Sequence, residues 1–426
     1  MNPALRVGYE GVAQLARALV AVAPDSQHKL VATFAARRGA IARYHAFARD
    51  TARPLLWMHA PSVGEGLQAR PILETLRRRR PEVQLAYSYF SPSARTFAAS
   101  LDVDFHDVLP FDSTGDMRAA LGALAPSALV FSKLDVWPTL AREASRRGTR
   151  LGMISATLAA GSSRRSGIAA SLLRDAYGRL DRVGAISTDD ADRLISLGVP
   201  ARRVTVTGDT RYDQVWARTL DIARADALLA PLRSERPTLV AGSTWPADEA
   251  ALLTAWASLA RRHPDVRLVI APHEPSAAHL APIEAWAADA KLRIARLGSE
   301  DAPDADVVLV DRVGVLGDLY DLADLAFVGG GFHGAGLHSV LEPAAFGAAV
   351  LFGPQHAASR DARLLLDADG ALEMPDAAAT ESTLESWARG DTQWRIAGLN
   401  ARRVVHSGLG AAERSYALVS ELLNGN

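Results

Sequence analysis

Cysteine is absent from the chain. That removes disulfides, thiolate metal sites and cysteine nucleophiles together, and it suits a reducing compartment. Long apolar runs are missing too: no stretch approaches the roughly 18–20 residues of a membrane-spanning helix. The nearest, Gly11–Pro24, carries Arg17 and lacks a basic leader or small-residue cleavage site, so no signal peptide is expected. Neither sign of charge dominates. The 47 Lys and Arg balance 48 Asp and Glu for a net charge of −1, and nothing global points to nucleic acid as a partner. The eleven histidines form no H-E-x-x-H, which argues against a metal site, and a serine-hydrolase G-x-S-x-G elbow is missing.

What remains is ample core material: 426 residues, 49% hydrophobic and 22% charged, enough for two to three globular domains. The first 53 residues hold eight basic residues (Arg6, Arg17, Lys29, Arg37, Arg38, Arg43, Arg49, Arg53) against Glu10, Asp25 and Asp50. In helical register Val12, Leu15, Leu19 and Val22 share a face. Such a basic amphipathic start either packs on its own domain or lies on an anionic membrane.

Beyond residue 53, short apolar runs alternate with helical stretches. In the first half they are Leu55–Ala60, Val83–Phe90, Ala128–Phe131, Leu151–Ser155, Val183–Ile186 and Val204–Thr207. In the second half they are Thr238–Ala241, Leu268–Ala271, Val307–Val310, Leu325–Val328 and Ala349–Phe352. Buried strands alternating with helices predict parallel sheets covered on both faces, an α/β fold of two Rossmann-like domains facing a central cleft. The strand-free stretch Arg211–Pro237 marks the division. The expected domains are 1–218 and 219–426, with the last helix packing back on the first.

Four segments carry chemistry, each placed where a strand ends. In His59–Gly66 the acid Glu65 falls at a helix start, where the dipole favours a carboxylate ready to take a proton; capping alone is the simpler role. Pro71 suggests that the regular helix starts later than Gly66. Gly329–Gly336 holds five glycines in eight residues between a strand and a helix expected over Ser339–Phe346, which reads as a backbone that approaches a phosphate, with a tight turn without ligand as the alternative. Glu342 would then reach a ribose diol. Ser243 or Thr244 would cap the helix after Gly242–Pro246 and could still face the cleft; capping alone is the simpler role. His273, in Ala271–Pro275, is a lone imidazole that meets a nucleotide or is inert. Arg164 and Arg165, in a Ser/Gly-flanked loop, either contact a ligand's phosphates or are simply solvated, and solvation is the expectation for an exposed loop.

These residues, in order, resemble the 3-deoxy-D-manno-octulosonic acid (Kdo) transferases. The likeness runs through Ser62–Val63–Gly64–Glu65, Phe90–Ser91–Pro92–Ser93, Trp137–Pro138 and Gly208–Asp213. It continues through Ala241–Trp245, Ala271–Glu274, Gly329–Phe332, Leu341–Glu342 and Phe352–Gly353–Pro354. The resemblance implies a GT-B glycosyltransferase that moves Kdo from CMP-Kdo to a lipid A precursor, inverting the anomeric centre without a metal or other cofactor. The resemblance also implies peripheral action at the cytoplasmic face of the inner membrane. Glu65 matches the general base, and Ser62, Gly64, Asp135 and Arg211 match the acceptor side. Ser243, Thr244, His273, Gly314, Val315, Leu316, Gly330, Gly331, His338, Ser339 and Glu342 match the donor side. Lys133–Leu134–Asp135 replaces the family's Glu-x-Glu, His338–Ser339 replaces His-Asn, and the start is less apolar than the usual anchor. Two alternatives fit the same residues: a GT-B enzyme for another nucleotide sugar, such as a UDP-sugar transferase or epimerase, and a non-catalytic nucleotide-binding relative.

Overall fold

The computed structural model describes residues 3–22, 29–334 and 336–425. Asp25 and the side chains of Leu19, Val22, Lys29 and Arg165 lie outside the described residues. The chain divides into two compact units, Met1–Gln214 with Leu409–Asn426, and Val215–Gly408. The division, between Gln214 and Val215, falls within the strand-free stretch Arg211–Pro237, and both it and the expected 218/219 boundary lie inside the helix Thr210–Leu220.

Among the described residues the first unit holds one parallel sheet of seven strands. They are β1 (Leu55–His59), β2 (Gln84–Tyr89), β3 (Phe105–Val108), β4 (Ala128–Ser132), β5 (Arg150–Ala156), β6 (Arg182–Ala185) and β7 (Val204–Val206). Their order is β3-β2-β1-β4-β5-β6-β7. Central strands are apolar at consecutive positions because both faces are covered. In β1, Leu55 and Trp57 enter one core while Leu56 and Met58 enter the other. Leu56 pairs with Leu85 on one side and Ala128 on the other, so β1 lies where the strand order reverses.

The second unit repeats the plan. Its strands are β8 (Thr238–Thr244), β9 (Arg267–Pro272), β10 (Ile294–Arg296), β11 (Val307–Leu309), β12 (Leu325–Val328), β13 (Ala349–Phe352) and β14 (Ala371–Glu373). Their order is β10-β11-β9-β8-β12-β13-β14, again all parallel. Leu239 and Val240 again feed opposite cores. Here the order reverses at β8. In open sheets of this kind ligands bind beyond the carboxyl ends of strands at the reversal point, and each unit places its candidate residues there.

All eleven apolar runs form strands. β3, β10 and β14, which have no counterpart among those runs, are sheet edges, where half-exposed sequences such as Phe-His-Asp-Val blur the apolar signal. Pro71 does not delay its helix, which runs unbroken over Val63–Arg79. The buried side chains Ala69, Ile72, Leu73 and Leu76 hold that segment on the sheet and offset the one backbone bond that proline cannot make.

Candidate functional site

In the first unit Glu65 sits in the first turn of helix Val63–Arg79, just past the end of β1, with its side chain 20% exposed. Ser62 at the helix N-cap donates its hydroxyl to Glu65 Oε2, so the serine orients the carboxylate instead of capping the backbone. Lys133 Nζ stands 3.4 Å from Glu65 Oε1, and the Ser132 hydroxyl donates to the Glu65 carbonyl at 2.8 Å. Gly64 is open toward solvent space, with only Ser62 Oγ near a hypothetical Cβ. Lys133 is held with φ at +66°, a left-handed conformation that a non-glycine residue adopts at a cost. That strain lies at the end of β4, directly beside Glu65.

Asp135 lies two residues further on. His59 Nε2 is 3.3 Å from its Oδ2, Trp137 Nε1 donates to the same oxygen at 3.0 Å, and Arg164 approaches Oδ1 at 4.0 Å. Burial alone would raise the Asp135 carboxyl, but the contacts with His59, Trp137 and Arg164 outweigh it and hold it below its ordinary range. Asp135 is therefore the anionic centre of a fixed polar cluster. Arg164 is also not merely solvated, as expected, but is drawn to that charge. Arg211 forms a two-pronged pair with Asp209, at 2.9 and 2.7 Å.

In the second unit the glycine segment follows β12 and is anchored by a residue that the sequence did not single out. Asp248, fully buried, accepts the backbone N–H of Gly330 at 2.7 Å, Phe332 at 3.0 Å and Trp245 at 2.9 Å. The carboxylate thus locks the loop, and those two loop amides are committed to it. The glycines are required by crowding: a Cβ on Gly329 would strike the Ser243 carbonyl, and one on Gly331 would strike the Gly353 backbone. Neither Ser243 nor Thr244 caps the next helix. Ser243, one residue before the end of β8, has φ at +54°, and Thr244, the strand's last residue, donates to Glu249 at 2.8 Å. The N-cap is Trp245 itself, and Asp248, at the third position of helix Pro246–Arg262, accepts the Trp245 N–H, the reciprocal bond of a capping box.

Trp245 is the second residue missed. Its ring stacks on His273 at 4.6 Å and on His333 at 4.4 Å, and its Nε1 donates to His338 Nε2 at 3.2 Å. His273 and His338 are themselves 4.6 Å apart. Burial pushes the His338 imidazole down, and the neighbouring His273 adds to that. Among the described residues no group of three or more His, Asp or Glu is arranged to hold a metal ion.

Glu342 lies in helix Leu341–Phe346, which begins two residues later than expected and leaves Ser339 exposed before it. The reason is local: Gly336 to Ser339 run without regular structure, and the His338 amide turns back to the Gly329 carbonyl at 3.1 Å. Arg218, the third residue missed, stands 3.7 Å from Glu342 and 3.4 Å from Asp318. Burial pushes the Glu342 carboxyl up, Arg218 opposes this and Asp318 adds to it. Gly314, with φ at +90°, and Val315 lead into the short helix starting at Leu316, whose side chain fills the space above Gly242.

A family model described as 3-deoxy-D-manno-octulosonic-acid transferase (kdotransferase) matches residues 32–214. The 3-deoxy-D-manno-octulosonic acid transferase of Bordetella pertussis is 31% identical over 333 residues, 76% of each chain. That of Haemophilus influenzae is 26% identical over 377 residues, 87% of this chain and 88% of the other. Among solved structures, UDP-GlcNAc 2-epimerase from Neisseria meningitidis, bound to UDP-GlcNAc, superposes with a TM-score of 0.65 at 13% identity, covering 88% of this chain and 100% of that one. The Methanocaldococcus jannaschii UDP-GlcNAc 2-epimerase gives 0.57 at 11% identity over 83% of this chain and 99% of its own. These two share the two-sheet GT-B architecture. The identity to the Bordetella protein, spread over both units, places this chain in the Kdo transferase family of glycosyltransferases.

Proposed function

We propose that this protein transfers Kdo from CMP-Kdo to a lipid A precursor of the lipid IVA kind, with inversion, at the cytoplasmic face of the inner membrane. The observation that carries the reading is the setting of Glu65: a carboxylate at the sheet's reversal point, oriented by Ser62 and faced by Lys133. Glu65 takes the proton from the acceptor hydroxyl as that oxygen bonds to the anomeric carbon of Kdo. The bond from that carbon to the CMP phosphate oxygen breaks, and CMP leaves with the electron pair. Asp135 and Arg211 serve the acceptor side together with Ser62 and Gly64.

The second unit holds the donor. Asp248 fixes the glycine segment before the ligand arrives, so little reorganisation accompanies the reaction. With the Gly330 and Phe332 amides committed to Asp248, the CMP phosphate falls to His273 and to other groups of the loop, Gly331 included. Glu342 receives the ribose hydroxyls, Ser243, Thr244, His338 and Ser339 line the same end of the sheet, and Gly314 to Leu316 border the base.

Membrane association rests on the first helix, Pro3–Val22. Tyr9 donates to Asp112 at 2.8 Å, Glu10 accepts from Thr114, and Arg17 pairs with Asp116 at 3.2 Å, so its polar face is turned to its own domain. Val7, Val12 and Leu15 are left 61–69% exposed. A helix that packs by its polar side and exposes its apolar side suits the surface of a bilayer. No helix among the described residues is long and apolar enough to cross one.

The deciding experiment is calorimetry with CMP, UMP, UDP and AMP at fixed salt, followed by transfer from CMP-Kdo to a tetraacylated lipid A precursor. Selective CMP binding and product formation are expected. Preference for a uridine nucleotide would overturn the donor, and binding without turnover would overturn the activity.

A further inference from the structure

A cavity of about 330 Å³ lies beneath the first helix, away from the residues assigned above. It is lined by Arg6, Val7, Glu10, Thr114, Arg118, Arg142, Glu143 and Arg146. Four guanidinium groups thus meet two carboxylates, and both carboxylates are already engaged. Glu10 accepts the Thr114 N–H at 2.9 Å and its hydroxyl at 2.7 Å. Glu143, with a side chain only 4% exposed, is shared by Arg118 at 2.8 Å, Arg142 at 3.1 Å and Arg146 at 3.4 Å. One buried carboxylate does not need three arginines. Among the described residues Arg6 pairs with no acid.

Arg142 is the sharpest sign of a ligand. Its side chain is 9% exposed, Nε is bound to Glu143 and Nη2 to Thr114, yet Nη1 is buried with no hydrogen-bond partner. A buried cationic donor left bare is costly, and a tetrahedral oxyanion is the natural complement of several guanidinium forks. Arg118 and Arg146, each more than half exposed, extend this positive lining to solvent. Arg6 and Val7 belong both to the cavity wall and to the helix whose Val7, Val12 and Leu15 are exposed. A ligand with phosphate and acyl chains in one molecule meets both features.

We propose that this cavity binds the phosphate monoester of a membrane lipid headgroup and fixes the first helix on the bilayer. The proposal rests on the membrane association read above from the first helix but not on Kdo transfer, because none of its residues is assigned to donor or acceptor.

The test is flotation of the full-length protein with phosphatidylcholine vesicles containing phosphatidic acid, a monoester, or phosphatidylglycerol, a diester, at matched surface charge. At least tenfold tighter binding to the phosphatidic acid vesicles is expected, with that preference lost in the Arg118→Ala/Arg146→Ala double variant. These two exposed positions are chosen because Arg142→Ala risks misfolding. Equal binding to both vesicles, or an unchanged preference in the double variant, would overturn the proposal. Calorimetry with inorganic phosphate separates the sources: millimolar phosphate that binds tightly and displaces the protein from vesicles would make the ligand soluble and overturn the lipid assignment. CMP affinity measured in parallel should be the same in both proteins. Its loss in wild type would count against the proposed function, not against this site.

Discussion

At the scale of single residues, the two units solve different problems with carboxylates. Glu65 is partly exposed and tethered at both oxygens, which is the arrangement of a group that must act. Asp248 is fully buried and saturated by three backbone amides, which is the arrangement of a group that must hold. Glu65→Gln keeps the shape and the Ser62 contact but cannot accept a proton. Transfer should fall by about 10²–10⁴ while CMP affinity is unchanged. Lost CMP binding, or turnover near wild type, would remove Glu65 from its role. Asp248→Ala leaves three backbone amides without their acceptor, the buried Gly330 amide at about 1–3 kcal/mol before relaxation and the half-buried Phe332 and Trp245 amides at less, whereas Asp248→Asn keeps one acceptor. CMP affinity and thermal stability should therefore both fall in the order wild type, Asn, Ala, and a reversed order would contradict the anchor. The sequence made Glu65 legible because a strand, a turn and an acid are local neighbours. Asp248 was hidden: a first-turn acid reads as an ordinary helix end, and two of its three partners, Gly330 and Phe332, lie more than eighty residues away. Trp245 was hidden likewise, since its stacking histidines meet only in space.

At the scale of elements, the legible parts were those buried on both faces, where apolar runs have no alternative reading. The edge strands β3, β10 and β14 and the helix start near the glycine segment were not, because exposure and loop contacts decide them; of the edges only β7, with its two valines, was read. The first helix belongs with these: its sequence permits either packing or membrane contact, and only the structure shows that its polar side is turned to its own domain while Val7, Val12 and Leu15 stay exposed. Its anchor is titratable. Asp112 accepts from Tyr9, Thr139 and Leu140, and burial pushes its carboxyl up to about 7 against these bonds. The folded state then holds a proton that the unfolded chain, near 3.9, has released. Asp112 therefore stabilises most below about pH 4, and this contribution is lost as pH rises through about 7, by up to roughly 1.4 kcal/mol per unit. Melting of wild type relative to Asp112→Asn, followed from pH 4.5 to 8, should show wild type losing ground as pH rises. A flat difference would mean that the carboxyl is ionised throughout. On the outward face, Val12→Glu should weaken vesicle binding severalfold and leave the melting temperature within about 2 °C, since an exposed substitution costs little stability. Unchanged vesicle binding would remove this face from the membrane.

At the scale of the whole molecule, the last stretch of chain belongs to the first unit. Helix Ala411–Asn424 places Leu418, Val419 and Leu422 in the core that holds Leu56, Met58 and Ile154. Gly152 of β5 is what admits it, because a Cβ there would collide with Leu422. Asp213 completes the attachment by accepting the Gly410 and Ala412 amides at 2.7 and 2.9 Å, and Arg414 donates to the Thr207 carbonyl at 2.8 Å. The run Gly208–Asp213, which carries part of the family likeness, thus has an architectural use: Asp213 is the N-terminal cap of a helix two hundred residues later. The sequence could mark the run but not its partner, since nothing local pairs Asp213 with Gly410. Leu422→Ala should cost about 2–5 kcal/mol by loss of buried surface and the cavity left behind. Because the helix lies in one unit's core, the effect should be local. Hydrogen exchange should quicken in β1, β4 and β5 of the first unit, while β8, β12 and β13 keep their wild-type protection. Equal loosening of both units would show that the molecule unfolds as one cooperative body, and undisturbed exchange in β5 would mean that the helix is an accessory to a core that stands without it.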